Sequence, residues 1–129
     1  MPGLDPGMMF LVQRDMGRLT THVLDTVSGK PAAGVRVVLR RDGEVAPVVE
    51  VTTNADGRVD KPLLEGAAFK NGRYELTFFI GDYFRRSGTA LADPAFLEVI
   101  PLRFGIAEDT HYHVPLLVSP YSYSTYRGS

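Results

Sequence analysis

The sequence contains no cysteine, which excludes a disulfide framework and any chemistry that needs a thiolate. No run of lysine or arginine is longer than two residues and the formal net charge is −1, which argues against a basic surface for nucleic acid. The longest strongly apolar stretch near the start, residues 8–12, is too short for a bilayer span or a signal-peptide core. We therefore expect a cytoplasmic protein that binds neither a membrane nor nucleic acid.

Size and composition predict one domain with a real core. The chain has 129 residues, of which 44% are hydrophobic and 22% charged, and these are ordinary globular proportions. Residues 1–17 carry four methionines, two prolines and three glycines. We predict that residues 1–17 form a flexible N-terminal extension and that residues 18–129 form the domain.

Short alternating segments separated by turn residues predict an all-β fold. Residues 35–41, for example, place valine and leucine on one face and arginine on the other. The only plausible helix covers residues 81–87, with Asp82 as N-cap and Gly88 as the stop. We predict an antiparallel β-sandwich of seven or eight strands, with strands at residues 19–25, 35–41, 48–53, 61–64, 73–80, 96–106, 111–118 and 121–126.

Two further features of the strands concern the surface. Pro101 lies inside a predicted strand and cannot donate to a ladder, which predicts that this strand is at a sheet edge. Four apolar residues are predicted to point outwards and would suit an oligomer interface: Val38, Val48, Phe79 and Tyr112.

Three histidines and one arginine are the candidates for chemistry. His111 and His113 fall on one face of a strand, and with His22 they would supply three metal ligands; structural or surface roles explain them equally well. Arg58 follows the turn sequence Asn-Ala-Asp-Gly, where an arginine is ordinarily solvated. The chain has no Walker loop, no dinucleotide fingerprint and no H-E-x-x-H motif. These residues alone do not define a reaction.

Four sequence blocks together resemble the 5-hydroxyisourate hydrolases, the transthyretin-related enzymes of purine catabolism. They are LTTHVLD at residues 19–25, TNADGR at 53–58, FFIGDYF at 78–84, and the tail at 111–129, which begins HYHVPLL and ends YRGS. The resemblance implies a transthyretin-like sandwich assembled as a homotetramer, with active sites where the dimers meet.

The resemblance also implies an activity and a set of site residues. The activity is hydrolysis of 5-hydroxyisourate to 2-oxo-4-hydroxy-4-carboxy-5-ureidoimidazoline, by attack of water on a ring carbonyl, without metal or cofactor. His111 is given a supporting role. The implied catalytic residues are His22, Arg58, His113 and Ser129, and the implied substrate-binding residues are His22, Arg58, Tyr126 and Arg127. A transthyretin-like carrier that binds a small ligand without turnover is the alternative, and a metal-dependent hydrolase that uses the three histidines is a third possibility.

Overall fold

A computed structural model of the chain describes residues 17–129. The predicted flexible extension falls outside this range except for Gly17, and its flexibility stays a prediction. The described residues form nine strands, a short 3₁₀ turn at Gly66–Ala68 and the helix α1, Ile80–Arg86. The strands are β1 (Arg18–Asp25), β2 (Lys30–Pro31), β3 (Arg36–Arg41), β4 (Val49–Thr52), β5 (Leu64–Glu65), β6 (Gly72–Phe78), β7 (Ile100–Ile106), β8 (His111–Val118) and β9 (Tyr123–Ser124).

The strands build two sheets, and the predicted sandwich is confirmed. The first sheet has the order β2-β1-β8-β9, with β5 also paired to β1, and the second has the order β4-β3-β6-β7. Strand β7, which contains Pro101, is at the edge of the second sheet, as the proline predicted.

One pair of neighbouring strands has a relative direction that the alternation of apolar and polar residues does not predict. Strands β1 and β8 are parallel over eight residue pairs, from Arg18 opposite His111 to Asp25 opposite Val118, whereas every other strand pair in residues 17–129 is antiparallel. This pair forms the centre of the first sheet and carries the histidines.

The core lies between the two sheets and is filled by the inward residues of each alternating strand. On β1 the inward side chains are Leu19, Thr21, Val23 and Asp25, all buried, while their neighbours are more exposed. The largest fully buried side chains include Tyr74, Phe78, Phe84, Leu39 and Leu116. The same alternation leaves the outward face of the first sheet free for polar residues.

Two of the four residues expected at an oligomer interface are buried within the chain instead. Val38 has no exposed surface, and Tyr112 is on the inward face of β8, where its hydroxyl oxygen accepts the N–H groups of Ala107 and Glu108. Phe79 is half-buried, and the guanidinium carbon of Arg36 lies 4.4 Å from the centre of the Phe79 ring. The expectation was wrong for Val38 and Tyr112 because their side chains are packed inside the subunit.

Helix α1 begins one residue earlier than predicted and has a different N-cap. Phe79 occupies the N-cap position without a side-chain hydrogen bond, so the prediction for Asp82, which lies in the first turn, was wrong. Gly88 follows the C-cap with φ of 86°, as expected for a helix stop. The Tyr83 hydroxyl donates to Asp25 at 2.9 Å and fastens the helix to the end of β1. No helix within residues 17–129 has the length and apolar character needed to cross a membrane.

Candidate active site

The candidate site lies on the outward face of the β1–β8 pair. Alternation turns Arg18, Thr20 and His22 of β1 outwards, and it turns His111 and His113 of β8 outwards. The parallel register then sets Thr20 opposite His113 and Arg18 opposite His111. Residues separated by about ninety positions in the sequence therefore become neighbours on one surface.

The turn after β4 brings Arg58 to this surface. The Asn54 side-chain oxygen accepts the N–H groups of Asp56 and Arg58 at 2.9 and 3.1 Å, which closes the turn. Gly57 has φ of 72°, a conformation that favours glycine, and its carbonyl accepts the N–H of Val23 at 2.8 Å. Arg58 consequently forms a β-bridge with His22.

The C-terminal tail folds back along β8. The turn at Ser119 reverses the chain, and the Thr125 hydroxyl then donates to the Pro115 carbonyl at 2.7 Å. Gly128 and His113 exchange two backbone hydrogen bonds of 3.1 and 2.7 Å. A β-carbon on Gly128 would lie 3.2 Å from that of His113, so the tail approaches the histidine closely.

These segments line an open cleft of about 340 Å³. Thr20, Arg58, His113 and Ser129 line it, and the remaining lining residues are Arg18, Thr21, Val59 and His111. A cleft of this size suits a small molecule. It combines two permanent cations, two imidazoles and hydroxyl groups, which are the groups needed to bind an anion and move a proton.

The electrostatic environment lowers the pKa of all three imidazoles. For His22, burial is the largest cause of the lowered pKa and the charge of the Arg58 guanidinium is the second. The hydrogen bond with the backbone of Asp56 acts in the opposite direction and raises the pKa. Burial also lowers the pKa of His113, and the nearby Arg58, His111 and His22 add to that shift. Each of these rings is therefore neutral at pH 7 and able to accept a proton.

His111 has its own cationic neighbours. Burial lowers the pKa of His111, and then the charges of Arg18 and Arg127 lower it further. The Arg127 guanidinium itself stacks over the ring of Tyr112 at 4.3 Å. The Arg127 charge therefore acts on His111 from the C-terminal tail.

The predicted site residues fall into three places. Arg58, His113 and Ser129 line the cleft, and His22 lies beside Arg58. Tyr126 and Arg127 line a separate groove of about 490 Å³ between β7 and the tail. The structure of one chain therefore does not bring these two residues into the cleft.

Sequence reasoning missed Thr20 and Arg18. Thr20 is two residues and Arg18 four residues before His22, so the alternation along β1 could have predicted that all three side chains share its outward face. The partners of Thr20 on β8 were not predictable, because the sequence does not reveal that β1 and β8 are parallel neighbours. Among residues 17–129, no group of three or more histidine, cysteine, aspartate or glutamate side chains has an arrangement that would hold a metal ion.

The profile of the HIUase/Transthyretin family matches residues 19–128. The chain belongs to this family. The match covers both sheets and the tail, so the sandwich described above is the family fold. The family description covers both a hydrolase and transthyretin, and so membership alone does not separate an enzyme from a carrier.

Individual family members are more informative. A Rhizobium meliloti (strain 1021) protein named 5-hydroxyisourate hydrolase 2 is 64% identical over 116 residues, which are 88% of this chain and 97% of that protein. The solved 5-hydroxyisourate hydrolase of Klebsiella pneumoniae is 39% identical, with a TM-score of 0.75, and the match covers 88% of this chain and 100% of that chain. A solved (S)-allantoin synthase is 52% identical with a TM-score of 0.84; the match covers 90% of this chain but only 45% of that longer chain.

Proposed function

We propose that this chain is a 5-hydroxyisourate hydrolase, which forms 2-oxo-4-hydroxy-4-carboxy-5-ureidoimidazoline in urate degradation. The observation that carries the proposal is the cleft in which neutral His113 and cationic Arg58 face the same small volume. The high identity to a relative of that name over nearly all of its length supports the same reaction.

The residues of the cleft provide each part of a hydrolysis. Water adds to a ring carbonyl of the substrate while His113 takes one of its protons. The carbonyl oxygen becomes an oxyanion, which the planar Arg58 guanidinium stabilises. When the oxyanion collapses, the ring C–N bond breaks, and the leaving nitrogen receives a proton from the protonated histidine. His22, beside Arg58, is the second acid–base group.

The tail completes the site in this proposal. Ser129 lines the cleft and orders the attacking water through its hydroxyl. Tyr126 is 57% exposed and lines the neighbouring groove with Arg127, so both are available to a second subunit or to a substrate held between subunits. We assign them to substrate binding in the assembled protein.

A homotetramer with active sites between dimers suits the surface of the chain. Leu24 and Leu117 lie half-buried on the same outward face as the histidines. Phe96 and Tyr121 are 72% and 69% exposed, and their ring centres are 5.9 Å apart. Exposed apolar side chains of this kind are typical of surfaces that a second copy covers. The cytoplasmic location stays a prediction.

Light scattering tests the assembly directly. A tetramer has four times the mass of the 14.2 kDa chain. A monomeric mass at the concentration used for activity would contradict the proposed assembly.

The hydrolase proposal is tested with single-residue variants and freshly generated 5-hydroxyisourate, whose decay is followed by ultraviolet absorbance. His113→Ala and Arg58→Ala each remove one catalytic group, so we expect turnover to fall by at least about 10²-fold. Arg73→Ala is the matched control, since Arg73 is an exposed arginine on the second sheet. Turnover near the wild-type level in both site variants would contradict the assignment.

The same experiment separates the hydrolase from the carrier. A folded wild-type protein that leaves the decay rate unchanged, yet binds the substrate or a planar analogue, would favour the carrier. The family likeness to transthyretin is what makes this the second candidate.

A further inference from the structure

The hydroxyl of Thr20 lies between the two histidines of β8. Its Oγ1 is 2.8 Å from Nε2 of His111 and 2.8 Å from Nδ1 of His113. Both distances are ordinary hydrogen bonds. The register explains the contact, because Thr20 is directly opposite His113 and His111 is the next outward residue on the same strand.

A hydroxyl in this position couples the states of the two rings. It has one proton to donate and lone pairs with which to accept. With both rings neutral, Thr20 donates to one ring nitrogen and accepts an N–H from the other. If Nδ1 of His113 carries the hydrogen, Nε2 of His111 must be the acceptor, and the reverse also holds.

The other two ring nitrogens are not engaged. Within residues 17–129, no hydrogen bond involves Nε2 of His113 or Nδ1 of His111, and no carboxylate pairs with either ring. His113 therefore has one nitrogen fixed by Thr20, and its second nitrogen remains available at the cleft.

We propose that Thr20 is a positioning residue that holds His113 with its hydrogen on Nδ1, so that the Nε2 lone pair is ready to take a proton from water. Thr20 accepts this Nδ1–H and donates its own proton to Nε2 of His111. The inference rests on the proposed hydrolase activity and gives His111 a role in it.

The same three groups form a path for the proton. When Nε2 of His113 takes a proton from water, its Nδ1 proton passes to Oγ1 of Thr20 and the hydroxyl proton passes to Nε2 of His111. The two rings then hold one additional proton, and the positive charge is on His111. The reverse transfer returns the charge to His113, whose Nε2 donates the proton to the leaving nitrogen. The path moves the positive charge from the ring near Arg58 to the ring near Arg18 and Arg127.

Permanent cations lie near both rings. The Arg58 guanidinium lowers the pKa of His113, and the guanidinium groups of Arg18 and Arg127 lower the pKa of His111. A fixed positive charge is disfavoured on either ring, and the hydrogen bonds through Thr20 allow the two rings to share one proton.

Two variants of Thr20 separate positioning from packing. Thr20→Val keeps the shape and loses the hydroxyl, so we expect kcat to fall at least about tenfold, with KM changed less than about threefold, because a base with the wrong nitrogen exposed is inactive. Loss of the hydrogen bond also moves the acid limb of the pH–rate profile to lower pH. Thr20→Ser restores the hydroxyl and should recover both properties to within about threefold of wild type.

His111 and a control threonine complete the set. His111→Gln retains a hydrogen-bonding group near Thr20 but does not take up the proton, and we expect a loss of kcat comparable to that in Thr20→Val. Thr26→Val is the matched control, because the Thr26 hydroxyl also bonds to β8, at the Val118 carbonyl, but far from the cleft. Wild-type kcat in either Thr20→Val or His111→Gln would overturn the proposal, as would a Thr20→Ser variant as slow as Thr20→Val.

A measurement without substrate distinguishes a failure of this proposal from a failure of the hydrolase assignment. Nitrogen-detected NMR of the folded protein at neutral pH reports which ring nitrogen carries the hydrogen. We expect His113 with its hydrogen on Nδ1 in the wild type and a shift towards Nε2 in Thr20→Val. A wild-type His113 with its hydrogen on Nε2 would overturn the positioning role even if the enzyme is active. Absence of wild-type turnover would instead reject the hydrolase assignment.

Discussion

Replacing Gly57 with alanine tests how the turn holds Arg58 at the site. An added β-carbon would lie 2.5 Å from the Val23 carbonyl oxygen, and backbone on both sides prevents a cheap adjustment. The φ of 72° costs a residue with a β-carbon about 1–2 kcal/mol. Loosening of the hydrogen bond from Val23 to Gly57 adds about 1 kcal/mol. We therefore expect the free energy of unfolding to fall by about 2–3 kcal/mol.

The control is Gly29→Ala. Gly29 has a similar φ of 74°, but no atom lies within 4 Å of its added β-carbon. It should lose only the cost of the backbone conformation, about 1–2 kcal/mol. Chemical denaturation of both variants at one protein concentration measures the difference between their free energies of unfolding. That difference gives the cost of placing a β-carbon at Gly57 against the backbone of β1.

Activity provides the second readout of the Gly57 variant. Displacement of the turn moves Arg58 away from His22, so we expect turnover to fall at least about tenfold, whereas Gly29→Ala keeps wild-type turnover. Equal stability of the two variants, or full activity in Gly57→Ala, would refute the view that the close turn positions Arg58.

The tail, the histidines and the helix can each be tested with one perturbation. Deletion of residues 126–129 should abolish 5-hydroxyisourate turnover while light scattering still finds a folded oligomer, and an active truncated protein would contradict the role of the tail. Because the pKa of His113 is lowered, its ring stays neutral at pH values somewhat below the ordinary histidine value of 6.5. We therefore expect kcat/KM to be constant near neutrality and to fall only as the pH drops through that lowered pKa. An acid limb above pH 6.5 would show that the pKa is raised rather than lowered. Tyr83→Phe removes a donor from the buried Asp25 carboxylate and should lower the free energy of unfolding by about 2 kcal/mol at unchanged kcat; unchanged stability on urea denaturation would count against that contact.

Local chemistry made much of this fold predictable. Alternation located β1 and β8 to within one residue, and the Asn-Ala-Asp-Gly sequence predicted the turn before Arg58. Both signals are local, because a strand and a turn are determined by a few consecutive residues. The family resemblance added the catalytic roles.

What the sequence did not predict depends on contacts between distant segments. The parallel pairing of β1 with β8 brings Thr20 to His111 and His113, and no local pattern encodes that register. Tyr112 was assigned outwards, yet its hydroxyl has partners in the loop before β8 and its ring is in the core. The predicted strand over residues 73–80 ends at Phe78 because the helix begins at Ile80.

In the proposed mechanism, the cleft around His113 and Arg58 hydrolyses 5-hydroxyisourate without a metal. The most direct test is the ultraviolet decay of freshly generated substrate with wild-type protein, with and without a strong chelator, beside the uncatalysed decay. We predict faster decay that is the same in both conditions. Loss of the acceleration with chelator would contradict the metal-free mechanism, and no acceleration by folded protein would contradict the hydrolase assignment itself.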